Sequence, residues 1–467
     1  MEAKRVKHEV VPSAKRLISS LRNMSYDFVK AVADLIDNSI QAKATEVKVQ
    51  MKFNGENSWV RITDNGQGMS PDELTEAMRY GSEKNYGPNE LGRYGLGMKT
   101  ASFSQCRKLT VASRTNLNKD ISIRQWDLDV VEETNAWEVD EIPPDEYYSI
   151  VTEPLERQTG TVVLWEHMDR LLLYKPPDGK RAMNWFNNTA ELLDTHLGMV
   201  FHRFLSGEVQ GHNLRITLND TDVISWDPFA RNEKKTTRLP IEEFYIFDGE
   251  KTAKVVYTPY ILPAQSDFSS QTAFRRSSGP KKWNAQQGFY IYRGNRMIQA
   301  GGWCGMRSPE EHAKLARIAL DVGSDSDQVL MLDVTKSTVQ LPADLKERLK
   351  PLIASLVGEA ERHYRTSNHE PSVAKPSFKA NENINKSNKM GGNIKYDNLS
   401  PDSKTKKTET SSDSEGKHFS SGEPKEALSL GQALERTAEK VGEKDALLKI
   451  KTALRKEDPS SAYSLGW

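Results

Sequence analysis

The sequence predicts an α+β protein with two folded domains, a polar linker and a C-terminal helix. Helix patterns alternate with strand patterns up to residue 365, which is typical of layered domains in which helices cover a sheet. Residues 366–425 are rich in Ser, Asn, Lys, Asp and Gly, and residues 426–467 return to a helical pattern. A length of 467 residues suits two or three domains, and we place their boundary at residue 205.

Composition narrows the class of protein. The chain has 65 Lys and Arg against 65 Asp and Glu, so its net charge of zero argues against a protein that coats nucleic acid along its whole surface. Its two cysteines, Cys106 and Cys304, are isolated, which excludes a disulfide framework and favours a reducing cytosol. No apolar run is long enough for a bilayer, and the start lacks a secretory signal. We therefore expect a cytoplasmic protein without membrane contact.

The elements of the first domain follow from local patterns. Apolar positions spaced as in a helix predict a helix over residues 25–43. Two strands that flank Asn54-Gly55 predict a hairpin. Ser70-Pro71-Asp72-Glu73 is a capping box that predicts a helix start, and Gly81 suits the helix end. KLTVASRT and GTVVLWEH read as further strands, and residues 184–205 as a helix.

The rest of the chain divides into a second domain and a tail. Strands dominate residues 214–341, and residues 342–365 form a closing helix. The segment 366–425 cannot bury enough apolar surface to offset its ordering entropy, so we expect a disordered linker. In the tail, Leu447, Ile450 and Leu454 form a narrow apolar stripe, which suits either a marginal surface helix or a docking helix.

Two polar clusters of the first domain suggest a binding site. Asp34 and Asn38 are four residues apart on one helix face, where a carboxylate and an amide can hold a water molecule and a cation; the alternative is a solvated polar face. Asp64 ends a strand and is followed by Asn65-Gly66-Gln67-Gly68-Met69. Glycines let the backbone approach a flat ligand, and the Asp can accept a hydrogen bond from an exocyclic amine, unless this is an ordinary Asn-Gly turn.

A glycine-rich loop and a later strand add to this site. Residues 92–100 lead into a helix, and backbone amides in such a loop suit phosphate, with Lys99 as a nearby cation. The spacing is that of neither a P-loop nor a dinucleotide-binding fingerprint. Gly160-Thr161 opens a strand about sixty residues on, and the Thr hydroxyl can reach a base through water.

The order and spacing of these clusters resemble a known superfamily. AVADLIDNSIQAKATEVKV, ITDNGQGMSPDEL, GRYGLGMKTAS and GTVVLWEH are similar to the successive boxes of the GHKL ATPases, which include DNA gyrase B, heat-shock chaperones, histidine kinases, MutL and MORC proteins. The resemblance is closest in flavour to MutL and MORC. It is dense over residues 12–170 and looser to 345. It implies a Bergerat-type ATP-binding α/β sandwich, a transducer-like second domain, and ATP and Mg²⁺ as ligands.

The resemblance assigns roles residue by residue. It implies that Asn38 binds magnesium, that Asp64 binds the adenine amino group, and that Thr161 contacts Asp64 and adenine. The turn that lines the base is Gly66, Gly68 and Met69, and the lid that covers the phosphates is Gly92, Gly95 and Gly97, followed by Met98 and Lys99.

Asp34 stands at the position of the family's catalytic base, where the usual residue is Glu. The side chain is shorter by one methylene, and a base needs hydrogen-bond reach to its water, so we expect slow hydrolysis. The neighbouring Asp37 is less suited, because the family's base lies four residues before the Asn.

The second domain also resembles the family. GFYIYRGNRMIQAGGW and VLMLDVTKSTVQLP look like a transducer domain, in which Lys336 matches the loop lysine that reaches the γ-phosphate. A lysine there would link phosphate state to domain angle; the alternative is a solvated turn lysine. We expect Arg293 and Arg296 to serve structure or another surface.

Two basic loops, residues 231–238 and 275–282, are candidates for DNA contact through phosphates, although they also suit ordinary solvated loops. The resulting hypothesis is an ATP-gated homodimer that associates with DNA, with an N-terminal arm that crosses to the partner. A second hypothesis is a chaperone-like or regulatory ATP-dependent protein without nucleic acid. A histidine kinase is disfavoured, because the ATP-binding part starts near residue 12.

Overall fold

The structure is a computed structural model that describes residues 10–23, 26–81, 97–172, 174–248, 251–323 and 340–368, and, near the C-terminus, 447–448 and 450–452. The described residues from 10 to 368 belong to one compact unit, and those near the C-terminus belong to a second unit. The fold class is confirmed as α+β, with helices layered on two sheets of mixed strand direction. Lid residues Gly92 and Gly95, Lys336 and nearly all of the predicted linker lie outside the described residues.

The first sheet carries the helices of the N-terminal half. Its strands are β1 (Glu46–Lys52), β2 (Trp59–Asp64), β3 (Lys108–Arg114), β4 (Ser122–Asp127), β5 (Asp140–Glu141), β6 (Gly160–Glu166), β7 (Arg215–Leu218) and β8 (Thr221–Asp222). The helices are α1 (Ala14–Arg22), α2 (Phe28–Gln41), α3 (Pro71–Met78), α4 (Gly97–Phe103), α5 (Leu128–Thr134), α6 (Lys180–Val200) and α7 (His202–Leu205). The capping box at Ser70 is confirmed: Ser70 Oγ accepts from Glu73 N, and the Glu73 carboxylate accepts from Ser70 N.

The side chains of β6 alternate between two hydrophobic clusters, one on each face of the first sheet. Val163 and Trp165 point into the main core with the helices, whereas Val162 and Leu164 join a second cluster with Val151. Residues of a strand alternate between faces, so a strand that is apolar at every position is covered on both sides. The continuous apolar run of the β6 sequence is therefore explained by a central position in the sheet.

The strand order of the first sheet is β5-β4-β3-β6-β2-β1-β7-β8. β2 is antiparallel to β6, and their register pairs Asp64 with Thr161. β7 is parallel to β1 and β8 pairs with β7, so the first sheet extends past residue 205, where the sequence pattern had suggested the boundary. A local pattern cannot reveal this extension, because it depends on pairing with a strand at residues 46–52.

The second sheet is covered by one long helix, α10 (Ala343–Asn368). Its strands are β9 (Thr237–Arg238), β10 (Glu242–Asp248), β11 (Lys251–Ile261), β12 (Gly288–Arg293), β13 (Arg296–Ala300) and β14 (Ala316–Val322), and its other helices are α8 (Gln271–Ser277) and α9 (Lys282–Gln286). The path runs β10-β11-β14-β12-β13, with β9 on β11. α10 buries Leu345, Leu349 and Ile353 in the second core. β12 and β13 form a hairpin in which Gly294 and Asn295 both have positive φ, as a tight two-residue turn requires.

The two sheets are joined by buried contacts around α6 and α7. The main core includes Tyr292 and Met297 of the second sheet. His202 Nε2 lies 2.8 Å from the Tyr292 hydroxyl. The Arg203 guanidinium stacks 3.6 Å from the centre of the Tyr292 ring and pairs with the Asp321 carboxylate. These contacts fix the second sheet against the end of the first domain.

Near the C-terminus, residues 447–448 and 450–452 are helical, and Leu448 and Ile450 are exposed. Leu454 lies outside the described residues, so the predicted stripe remains a prediction. Across the ranges that the structure describes, none of the helices is long and apolar enough to span a membrane.

Candidate nucleotide site

Asp64 is held at the end of β2 by three hydrogen bonds. Its Oδ1 accepts from Gly66 N at 2.9 Å and Thr161 N at 3.2 Å, and its Oδ2 accepts from Ser39 Oγ at 3.0 Å. Burial raises the pKa of this carboxyl above its ordinary value, and the three donors offset part of that effect. Oδ2 receives a single hydrogen bond, so it keeps acceptor capacity for an incoming amine. Ser39 also ties this carboxylate to α2, directly beside Asn38.

The turn after Asp64 is fixed from both sides. Asn65 Oδ1 accepts from the backbone amides of Thr45 and Glu46, each at 2.9 Å. Met69 N donates to Ser113 Oγ at 2.8 Å, and that hydroxyl lies 2.9 Å from Thr161 Oγ1. The predicted contact between Asp64 and Thr161 is therefore present through the Thr161 amide, while the Thr161 hydroxyl contacts Ser113.

Two glycines are required by close backbone approach. Gly68 has φ +69°, and a Cβ there would lie 2.1 Å from Arg114 O. Gly160 has φ +138°, and a Cβ there would lie 1.9 Å from Asp64 O. No side chain fits at either distance, so both positions need glycine for the turn and β6 to pack together.

α2 is buried on nearly all sides, and this corrects the predicted polar face. Asn38 is the exposed residue of the helix, but Asp34 and Asp37 are only 7% and 1% exposed. α2 packs against α4, α6 and the first sheet, and Tyr26 and Arg296 lie against Asp34. The Tyr26 hydroxyl donates to Asp34 Oδ2. Burial and the Asp34 charge raise the pKa of Tyr26, so this hydroxyl stays protonated as a donor.

Arg296 of β13 reaches this helix from the second sheet. Its Nε lies 3.3 Å from the Asp37 carboxylate, and its Nη2 lies 3.7 Å from Asp34 Oδ1. From the sequence, Arg296 is expected to serve structure or another surface, and not this site. The available signal was the two-residue turn before it, which starts β13 at this residue, but nothing local indicates a partner about 260 positions away.

α4 begins at Gly97, which is exposed, and Met98 is partly buried. Lys99 points away from solvent: its Nζ donates to Ala77 O at 2.8 Å, near the C-terminal end of α3. Burial lowers the pKa of Lys99 to about 8. The ammonium thus satisfies a carbonyl of the last turn of α3. The predicted phosphate contact of Lys99 remains a prediction, and it requires the ammonium to leave Ala77.

Asn38 is the candidate magnesium ligand. Within the described ranges, no three or more His, Cys, Asp or Glu side chains are grouped to hold a metal ion. Magnesium commonly takes one or two protein oxygens and completes its shell with phosphate and water oxygens. A lone exposed amide oxygen beside the Asp64 cluster therefore fits an ion that arrives with a nucleotide.

The predicted second basic loop is partly helical, because Arg275 and Arg276 lie in the last turn of α8. Glu233 of the first loop accepts hydrogen bonds from Ser269 N and Oγ, just before that helix. Some cations of the two loops are paired with carboxylates. Arg231 pairs with Glu208 and Asp227, and Lys235 pairs with Asp267. The other exposed cations of the two loops are Lys234, Arg238, Arg275, Arg276, Lys281 and Lys282.

Comparison with known proteins agrees with this geometry. A family model described as histidine kinase-, DNA gyrase B-, and HSP90-like ATPase matches residues 26–161. Protein MICRORCHIDIA 7 of Arabidopsis thaliana is 39% identical over 90 residues, 18% of this chain and 13% of that protein. The DNA mismatch repair protein MutL of Histophilus somni (strain 2336) is 31% identical over 213 residues, 44% of this chain and 30% of that protein. ATPase morc-1 of Caenorhabditis elegans is 27% identical over 86 residues, 18% of this chain and 10% of that protein.

The chain spans less than a third of the length of each of these relatives. The segment matched by the family model contains α2, the Asp64 turn and the start of β6, which are the elements that converge on Asp64. On the family match and these relatives, residues 26–161 form a domain of the histidine kinase-, DNA gyrase B- and HSP90-like (GHKL) ATPase type, similar to MutL and MORC proteins.

Proposed function

We propose that this protein binds ATP with magnesium, hydrolyses it slowly, and uses the bound state to drive dimerisation. The observation that carries this proposal is the Asp64 cluster: a buried carboxylate with a remaining acceptor site, bonded to Ser39 next to the exposed Asn38. An adenine nucleotide would be recognised by its amine at Asp64 and by its phosphate-bound metal at Asn38.

Each residue has a defined part in binding. Asp64 Oδ2 accepts from the adenine amine. Gly66 and Gly68 let the turn pack closely against Ala42 and Arg114, and the backbone of that turn contacts the flat base. Asn38 supplies an oxygen ligand to magnesium, which when bound neutralises charge on the phosphates. Gly97 lies at the described end of the lid loop, whose amides cover the phosphates.

Hydrolysis depends on Asp34. Its carboxylate orients the attacking water and accepts a proton from it, while Tyr26 holds the other oxygen in place. The Asp side chain ends one methylene short of Glu, so the water is held less favourably and turnover is slow.

Two variants separate binding from turnover. Asn38→Ala should abolish binding of a magnesium-bound, non-hydrolysable ATP analogue, because the amide oxygen is lost. Asp34→Ala should keep that binding and lose phosphate release. Normal hydrolysis by Asp34→Ala would show that the base is another residue, and normal binding by Asn38→Ala would show that the metal lies elsewhere.

An association with DNA is the second part of the proposal. It is supported by the exposed cations of the basic loops and by the similarity to MutL, a DNA mismatch repair protein. Binding of duplex DNA should weaken steeply with salt, and Arg275→Ala should weaken it. Arg231→Ala is the matched control, because the Arg231 charge is already paired with Glu208 and Asp227.

The pairing of Arg231 and Lys235 with carboxylates favours one competing function, a chaperone-like or regulatory ATP-dependent protein without nucleic acid. No DNA binding at low salt, with ATP turnover intact and unchanged by DNA, would establish that alternative.

A further inference from the structure

Arg296 contacts two buried carboxylates of the ATP-binding domain at once. The guanidinium Nε lies 3.3 Å from Asp37, and Nη2 lies 3.7 Å from Asp34. A third nitrogen, Nη1, donates to Met297 O at 2.8 Å, so the fork is held in one orientation by its own strand. Arg296 is 6% exposed, and both carboxylates are also buried.

Charge makes this contact consequential. Asp34 and Asp37 are three residues apart on α2, so their carboxylates crowd one side of the helix. Two buried negative charges in one place are costly unless a cation lies beside them. His196 does not fill that role, because burial and the nearby Arg296 charge lower its pKa to about 3 and keep it neutral.

We propose that Arg296 is a positioning residue for ATP hydrolysis. Its guanidinium fixes the direction of the Asp34 carboxylate, so the base in the first domain is complete only when β13 of the second domain is docked on α2. This inference rests on the proposed function, in which Asp34 activates water. It links domain docking to turnover at the base itself, in addition to any contact that Lys336 makes with phosphate.

The chain offers a matched control in Arg203. The Arg203 guanidinium also joins the two sheets, through the Asp321 carboxylate and the Tyr292 ring. It too is largely buried, but its described partners lie on β12, β14 and the turn before β13, and none is on α2. If Arg296 served only to hold the domains together, loss of either arginine would affect hydrolysis in the same way.

The experiment uses the full chain and measures three quantities for each variant: affinity for a non-hydrolysable ATP analogue, kcat for phosphate release, and melting temperature. For Arg296→Ala we expect a loss in kcat of at least about tenfold, with analogue affinity within about threefold of wild type, because an orientation is lost and no ligand contact is removed. For Arg203→Ala we expect a comparable fall in melting temperature and a kcat within about twofold of wild type.

A second pair of variants addresses a failure of Arg296→Ala to fold. Arg296→Lys keeps a charge, but a single ammonium cannot serve both carboxylates as the fork does, so it bonds to the nearer Asp37 and kcat falls. Adding Asp37→Asn leaves Asp34 as the charged partner, so the double variant should recover kcat relative to Arg296→Lys. A kcat of Arg296→Lys within about twofold of wild type, or no recovery in the double variant, would overturn the proposal.

Asp34→Asn, measured in parallel, separates this inference from the proposed function. If Asp34→Asn loses turnover while both Arg296 variants match Arg203→Ala, Arg296 is a structural contact only and the base assignment stands. If Asp34→Asn hydrolyses ATP at the wild-type rate, or the wild-type chain has no turnover, the assigned base fails and the role of Arg296 fails with it.

Discussion

Asp64→Asn replaces one oxygen of the buried carboxylate with an amide nitrogen and tests the adenine contact. An Asn oxygen placed at the Oδ1 position keeps the hydrogen bonds from Gly66 N and Thr161 N. The new NH₂ group then faces Ser39, whose hydroxyl lies 3.4 Å from Leu35 O and can turn its proton there. The local fold can therefore accept the change without an orphaned polar group.

The expected effects on stability and on binding differ in size. Asp64 has a raised pKa in the folded protein, so its contribution to stability declines as pH rises from the ordinary value of 3.8 through the folded value. At neutral pH the Asn variant avoids this cost and loses one hydrogen bond, so the free energy of unfolding should change by about 1 kcal/mol or less. ATP loses a hydrogen bond to a charged acceptor, worth about 1.5–3 kcal/mol, so affinity should fall by about 10- to 150-fold.

The assay is an isothermal calorimetric titration with a non-hydrolysable ATP analogue and magnesium. A melting curve is measured for each variant. Ser39→Ala is the control: it removes the hydrogen bond to the same Asp64 oxygen but leaves the charge, so affinity should stay within about threefold of wild type. An Asp64→Asn protein that is folded and binds the analogue as tightly as wild type would refute the assignment of Asp64 to the adenine amine.

Three further predictions follow from the same site. Gly68→Ala should lower the free energy of unfolding by at least about 1–3 kcal/mol, because its Cβ would meet Arg114 O at 2.1 Å with φ +69°; an unchanged midpoint in denaturant would contradict this. Asp34→Glu should raise kcat at unchanged analogue affinity, because the carboxylate gains reach; an equal or lower rate of phosphate release would show that reach is not limiting. Below the raised pKa of Asp64, each further drop of one pH unit should weaken binding of the analogue to wild type by about tenfold. Titration at each pH should show no such loss for Asp64→Asn.

Features that depend on neighbouring residues were predictable from the sequence. The capping box at Ser70, the hairpin at Asn54-Gly55 and strands β3 and β6 all occur where the local patterns indicate. Asp64 also lies at the end of a strand, as the pattern suggests. The end of the strand and the close backbone approach after it both depend on adjacent residues.

Features that depend on tertiary packing were not. Asp34 reads as part of a polar helix face, but it is buried, with Tyr26 and Arg296 against it. Lys99 reads as a phosphate ligand, and its Nζ donates to Ala77 O of α3 in this structure, a partner 22 positions away that the local sequence does not indicate. Arg296 reads as a surface or structural residue, and its role emerges only when the second sheet is placed against α2.

The most direct test of the central claim is the mass of the full chain in solution, by light scattering, with and without magnesium and a non-hydrolysable ATP analogue. For wild type, we expect the analogue to raise the mass to twice that of one chain. For Asp64→Asn at the same analogue concentration, we expect the mass to stay that of one chain. A wild-type protein that binds the analogue without any change in mass would contradict ATP-gated dimerisation.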